Sequence, residues 1–211
     1  MAKRANARKR LVSFSEYLKL IDASQPHFKA AVVIAFTTGM RTGEIRQLKW
    51  SYIDRKNWFI RLSAKITKEK RDKNIPINHH VKRILDSLPL ALKHNFVITY
   101  KGMPITTPGG LKRSFKTACK DAKIPCGQKV ENGIIFHDIR RTVKTNMAAA
   151  GLDKAHRDVL LGHSMQGMDV HYLVPTEDTL RQEMARYTQW IDSQLAGTSE
   201  NVDHSVDQAA V

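Results

Sequence analysis

The stretch PHFKAAVVIAFTTG, residues 26–39, decides how the rest of the chain must fold. Pro26 suits the first turn of a helix, and Gly39 suits its C-terminal stop. Between them Ala30 to Phe36 is apolar on every side, which predicts a helix buried all round at the centre of a core. The same run is far too short for the roughly 20 apolar residues of a membrane span, and it is the longest in the chain.

Outward from that helix the pattern stays helical in most places. Phe14, Tyr17, Leu18 and Ile21 form an apolar stripe over Ser13 to Asp22, behind a Ser13 or Ser15 cap. Thr42 to Trp50 reads as a short amphipathic helix with Ile45 and Leu48 inward. Trp58 to Leu62, Lys65 to Thr67 and Asn74 to Ile77 are short and rich in aromatic and β-branched residues, which predicts the strands of a small antiparallel three-stranded sheet. Val81 to Leu88 reads as helix, Phe96 to Thr99 as a short strand, and Gly109 to Asp121 as helix. Helices are expected again over His137 to Ala150, Asp153 to Leu161 and Thr176 to Leu195. The expected fold class is therefore α+β, mainly α-helical with one small sheet.

The chain has 211 residues, 42% apolar and 26% charged, as expected for one folded domain with tails. Its formal net charge of +15 makes a polyanion, and nucleic acid above all, the first expected partner. Lys3, Arg4, Arg8, Lys9 and Arg10 make residues 1–12 a basic arm or linker, with no apolar segment behind them to form a secretory signal. Residues 13–195 are expected to hold the fold. Residues 196–211 carry Glu200, Asp203 and Asp207 with no Lys or Arg and little to bury, so a disordered acidic tail is expected there. The only cysteines, Cys119 and Cys126, make neither a disulfide framework nor a structural zinc site. His27, His79, His80, His94, His156, His171 and His204 lack metal-ligand spacing along the sequence, so no metal is expected.

Chemistry-bearing residues gather in four places. Thr38-Gly39-Met40-Arg41-Thr42-Gly43-Glu44-Ile45 sets an arginine directly after the buried helix, where it could equally serve only to offset that helix's carbonyl end. The segment from Arg61 to Lys73 carries six cations, diluted only by Glu69 and Asp72. On the helix that opens His137-Asp138-Ile139-Arg140, one face holds His137, Arg140 and Lys144 while Ile139, Val143 and Met147 fill the other. Leu161-Gly162-His163 is followed nine residues later by Tyr172.

Taken together, TGMRTGEI at 38–45, the Lys68 segment ending in NIPI at 74–77, HDIRRT at 137–142, LLGH at 160–163 and the tyrosine at 172 resemble the tyrosine recombinase (phage integrase) family, over roughly Ser13 to Leu195. The resemblance implies a tyrosine recombinase catalytic-domain fold in a site-specific DNA recombinase or integrase of bacterial or phage origin, cytoplasmic and nucleoid-associated, acting on double-stranded DNA without cofactor or metal. By the same resemblance, Arg41 and Arg140 grip the scissile phosphate and Lys68, with Lys65 and Lys70 as near rivals for the role, protonates the leaving 5′ oxygen. Tyr172 is the nucleophile that forms a 3′-phosphotyrosyl intermediate, His137 assists its deprotonation, His163 hydrogen-bonds the phosphate, and Glu44 orients Arg41.

Arginine suits that grip because its planar fork makes paired charge-assisted bonds and keeps its proton. Tyrosine needs assistance, because its unperturbed pKa is about 10. Two departures from the family pattern stand out: Arg141 occupies a place where many members have histidine, and no DNA-clamping domain precedes Ser13, so a catalytic fragment is expected. The last helix presents Leu180, Met184, Tyr187, Ile191 and Leu195 on one face. In the family such a segment joins protomers into a tetramer on DNA, and the alternative is that it folds back on its own core. Two other activities fit the same residues: a non-catalytic basic DNA-binding module, and relaxation of supercoils in the manner of type IB topoisomerases.

Overall fold

The computed structural model describes residues 9–90, 93–163 and 175–207, without the side chains of 199–207. In chain order the elements are α1 (Phe14–Asp22), α2 (Pro26–Thr38), α3 (Thr42–Arg46), a 3₁₀ turn (Trp50–Tyr52), β1 (Ile53–Asp54), β2 (Phe59–Leu62), β3 (Lys73–Pro76) and α4 (His79–Asp86). There follow β4 (Thr99–Tyr100), β5 (Met103–Pro104), α5 (Pro108–Asp121), α6 (Phe136–Ala149), α7 (Lys154–Leu161) and α8 (Glu177–Asp207). The class is α+β with helix dominant, as the sequence predicts.

α2 is the axis of the core. Phe28 and every residue from Ala30 to Thr38 are buried, so beyond its first turn this helix has no solvent face. Phe36 stacks on Tyr17 of α1 at 3.9 Å, and Phe28 meets Phe115 of α5 and Phe136 of α6 at 6.2 and 6.0 Å. From α8, the Tyr187 hydroxyl donates to the Phe36 carbonyl at 3.1 Å. Each large apolar side chain so buried contributes about 1.5–3 kcal/mol before the entropy of ordering is subtracted. α1 starts as expected, with the Ser13 hydroxyl accepting from Glu16 N and the Glu16 carboxylate accepting from Ser13 N.

The three-stranded sheet is antiparallel in the order β1-β2-β3, with Phe59 opposite Pro76 and Leu62 opposite Lys73. Pro76 is tolerated because β3 is an edge strand. One expected strand is wrong: Lys65 to Thr67 lies in the turns linking β2 to β3, and Ile53–Asp54 supplies the third strand. The Thr67 hydroxyl donates to Arg71 O at 2.7 Å, and Ala64 N donates to the Asp72 carboxylate at 2.8 Å. These local side-chain bonds offer the backbone an alternative to a ladder. The strand expected over Phe96 to Thr99 is displaced too. Phe96 makes one isolated bridge to Lys49, and Thr99–Tyr100 pairs with Met103–Pro104 around Lys101 and Gly102, both at positive φ as a tight hairpin requires.

α3 ends at Arg46, short of Trp50. α8 is longer than expected: it runs to Asp207, so residues 196–207 are helical where composition predicts a disordered tail. A helix anchored upstream adds a hydrogen bond for each residue fixed, without a new nucleation cost. Its apolar face is used within the chain, because Leu180, Met184, Tyr187 and Ile191 are all buried in the core and Leu195 packs against it.

Gly39, the left-handed cap of α2 at φ +68°, lies so close to α6 and α7 that an added Cβ would stand 2.4 Å from Leu161 Cδ2 and 3.0 Å from Val143 Cγ1. Gly151 has a similar φ of +81° with open space around it. Gly151→Ala therefore carries only backbone strain, roughly 1–3 kcal/mol. Gly39→Ala adds an overpacking cost of roughly 1–3 kcal/mol on top. Urea midpoints for the two variants should rank Gly39→Ala clearly below Gly151→Ala; equal midpoints would show that the α2–α6–α7 junction yields.

Candidate active site

The site forms where the C-terminal ends of α2 and α7 meet the N-terminal ends of α3 and α6. Arg140, in the second turn of α6, is 5% exposed and is fastened by two backbone carbonyls, with Nη1 donating to Gly39 O and Nη2 to Leu161 O, each at 2.5 Å. These carbonyls belong to the ends of α2 and α7, which have no intrahelical partner to offer. A guanidinium has five N–H donors, so the remainder of the fork is available to an anion. Burial, and then the Arg41 charge, bring its pKa down to about 10, which still leaves it protonated at neutral pH.

Arg41 is the N-cap residue of α3, two positions beyond Gly39. Its Nη1 donates to Glu44 Oε1 at 3.1 Å, and its Nη2 donates to the Glu69 carboxylate and to Gly162 O. Glu44, 2% exposed, also accepts from Arg41 N at 3.0 Å and from Lys73 Nζ at 3.1 Å. Although burial opposes ionisation, Lys73 and the hydrogen bonds from Arg41 hold the Glu44 carboxyl below the usual range. Glu44, expected to orient Arg41, thus bonds both Arg41 and Lys73.

Lys73 opens β3 and is almost fully buried; its stem lies 3.0 Å from the position of a Cβ on Gly162. Gly162 has φ +67° and caps α7, so the turn and the close approach both call for glycine. Burial is the largest influence on the Lys73 ammonium and brings its pKa down to about 8; Glu44 resists the fall, and Arg140 adds to it. The site thus holds three cations, Arg41, Arg140 and Lys73, against two carboxylates, Glu44 and Glu69.

His137 lies in the first turn of α6, near Arg140. Burial, with help from Arg140 and Arg141, lowers its pKa and favours the neutral ring. His163 follows Gly162; its Nδ1 is 3.1 Å from Asp158 Oδ1, and its backbone N donates to Asp158 O at 2.7 Å. Its pKa is also lowered, chiefly by burial, although Asp158 pulls the other way. Asp158 is itself placed by Lys154 at 3.1 Å. Asp138, fully buried, accepts from Ile135 N at 2.9 Å and from Arg141 Nη1 at 2.5 Å, which is the capping role that its position at a helix start suggests.

Of the expected site residues, the fold brings together Arg41, Glu44, His137, Arg140 and His163, from α3, α6 and the end of α7. Lys68 is not among them: it is exposed on the β2–β3 connection, with no hydrogen bond or ion pair among the described residues. Its neighbour Glu69 points into the cluster instead. Tyr172 lies outside the described residues. Sequence reasoning passed over Lys73, Glu69 and Asp158. The clue to Lys73 was its place two residues before Ile75 on one strand, since period two puts both on the inward face; Glu69 is set by a contact 28 residues away, and Asp158 by the turn that brings His163 back onto α7.

The family model for the phage integrase family matches residues 5–178. The chain is 27% identical over 176 residues to the integrase of Enterobacteria phage P21, covering 77% of this chain and 44% of that protein. In fold it resembles the lambda integrase catalytic core, with a TM-score of 0.59 at 22% identity over 76% of this chain and 95% of the other. It also resembles a lambda integrase tetramer bound to a Holliday junction, with a TM-score of 0.60 at 21% identity over 80% and 53% of the two chains. The chain spans about half or less of the length of the curated relatives it matches. With the family model matching residues 5–178 of its 211, the chain belongs to the phage integrase family.

Proposed function

We propose that this chain is the catalytic domain of a site-specific DNA recombinase that cuts and rejoins strands through Tyr172, in the cytoplasm of a bacterium and on its nucleoid DNA. The observation that carries this reading is the convergence of Arg41 and Arg140 with His137 and His163 around the Gly39–Leu161 junction. In the proposed reaction a DNA phosphate enters against Arg41 and Arg140. The Tyr172 oxygen attacks phosphorus as its proton passes to neutral His137, the P–O5′ bond breaks, and the 5′ oxygen takes a proton from Lys68, which the exposed β2–β3 connection has to bring to the bound phosphate. His163 donates to a non-bridging oxygen. Charge grows on the phosphate oxygens along this path, so fixed cations stabilise the transition state more than the ground state. The new phosphodiester keeps the bond energy, and attack by another 5′ hydroxyl reverses the steps.

The lambda integrase tetramer on a Holliday junction supports a tetramer on double-stranded DNA for this chain as well. The buried apolar face of α8 requires that such contacts use other surfaces of that helix, or an exchange of whole helices between copies.

A nicked duplex bearing the cognate site should trap a denaturant-resistant protein–DNA adduct with the unaltered chain. Tyr172→Phe should give none, and Arg140→Lys should reduce its rate by roughly a hundredfold or more, as expected when a fixed electrostatic donor is lost. Tight binding of the duplex with no adduct would leave a non-catalytic DNA-binding module as the function.

Glu69 occupies Arg41 where an incoming phosphate must bind. Removing its charge leaves three cations against one carboxylate, a surplus suited to a phosphate whose charge is growing. Glu69→Gln should therefore tighten DNA binding about threefold at low salt, the scale of a partly exposed ion pair. Unchanged affinity would mean that Glu69 and phosphate do not compete.

Lys73 carries its charge below a pKa of about 8 and loses it above. Adduct formation should fall as pH rises through about 8, with half of the Lys73-dependent loss reached there, because a neutral Lys73 leaves Glu44 uncompensated beside Arg41. In Lys73→Arg, whose cation does not titrate in this range, the alkaline fall should move upward; an identical profile would exclude Lys73 as its source.

A further inference from the structure

Away from the active site, the first turn of α4 meets the middle of α8. His80 Nε2 lies 2.8 Å from Asp192 Oδ1, and His79 Nε2 lies 3.3 Å from the same oxygen. The two imidazoles stand 4.1 Å apart and tilted by 36°. All three donor atoms fall within 4.8 Å of one another. We propose that His79, His80 and Asp192 form a binding site for a divalent first-row transition metal, represented by Zn²⁺, that clamps α8 to α4.

The geometry favours this over a plain histidine–aspartate hydrogen bond. One imidazole is enough to satisfy Asp192 Oδ1, yet two ring nitrogens from adjacent residues turn to it. Ligand bonds of about 2.0–2.1 Å in a tetrahedral zinc site put neighbouring donors roughly 3.4 Å apart, a spacing that His79 and Asp192 already have at 3.3 Å and that His80, at 2.8 Å from Asp192, reaches by a small side-chain shift. Two imidazoles and one carboxylate form a donor set suited to zinc, with water completing the shell. His80 is 14% exposed and held in place, while His79 and Asp192, at 48% and 44%, leave a mouth for the ion. Burial and the neighbouring His79 keep His80 toward the neutral form, which is the form that ligates. No sequence pattern could show the site, because 112 residues separate His80 from Asp192.

Such an ion would pin α8 one turn beyond Tyr187, whose hydroxyl is bonded to α2, and would hold the last helix on its own core. The site is independent of the strand-transfer reading, since none of its ligands belongs to the active site.

The test is titration of the full chain with Zn²⁺ alone, followed by calorimetry and thermal unfolding. One equivalent should bind at about 10 µM free metal and raise the melting temperature. His80→Gln and Asp192→Asn should each weaken binding by at least about tenfold and abolish the thermal shift, while their metal-free melting curves confirm folding. His94→Gln, at a histidine elsewhere on the surface, should change neither. No binding at 100 µM Zn²⁺, or binding undiminished in both ligand variants, would overturn the proposal.

Discussion

Everything in the active site depends on one buried guanidinium. Arg140 bridges the carbonyls of Gly39 and Leu161, the open ends of two helices far apart in the chain. Helix C-termini carry partial negative charge and unpaired carbonyls, so bringing two together in a core is unfavourable without a donor between them. A cation with several N–H groups meets both needs. Arg41 lies two residues after Gly39, and His163 two residues after Leu161. The clamp that satisfies the helix ends thereby fixes where Arg41 and His163 begin.

Concentrating positive charge in this way has an electrostatic cost. Arg140, Arg41 and Lys73 repel one another, and the lowered pKa values of Arg140 and Lys73 record that repulsion together with burial. Glu44 is the internal compensation, bonded to both Arg41 and Lys73 and almost inaccessible to water. Glu69 is compensation of another kind, because it comes from a solvent-exposed connection and is 20% exposed itself. A buried carboxylate preserves the site through the reaction. Glu69 is held only at the rim, on the same connection that carries the exposed Lys68.

Much of this was legible before any coordinates. The all-round apolar run ending at Gly39 identifies α2 as the axis, and the order of short motifs identifies Arg41, His137, Arg140 and His163. Legibility failed where the deciding contact is a single side-chain bond rather than a periodic pattern. Lys65 to Thr67 has strand-forming residues, but Thr67 and Asp72 side chains bond the local backbone and keep it in turns. Lys68 and Lys73 are both cations of one basic segment, and only the pairing of β2 with β3 shows that Lys73 is the one enclosed. Asp158 reaches His163 through the turn at Gly162, and Glu69 reaches Arg41 across 28 residues.

The position of α8 bears on how the site could be linked to a second subunit. Its apolar residues fill the same core that α2 organises, and Tyr187 satisfies the Phe36 carbonyl three residues before Gly39. Pulling α8 away would expose Leu180, Met184, Tyr187 and Ile191, at about 1.5–3 kcal/mol each, and strip a partner from α2 one turn short of the arginine clamp. That cost is recovered only if an identical helix from another copy takes the vacated seat, as in domain swapping. Occupancy of the seat and the setting of Gly39 are therefore mechanically joined.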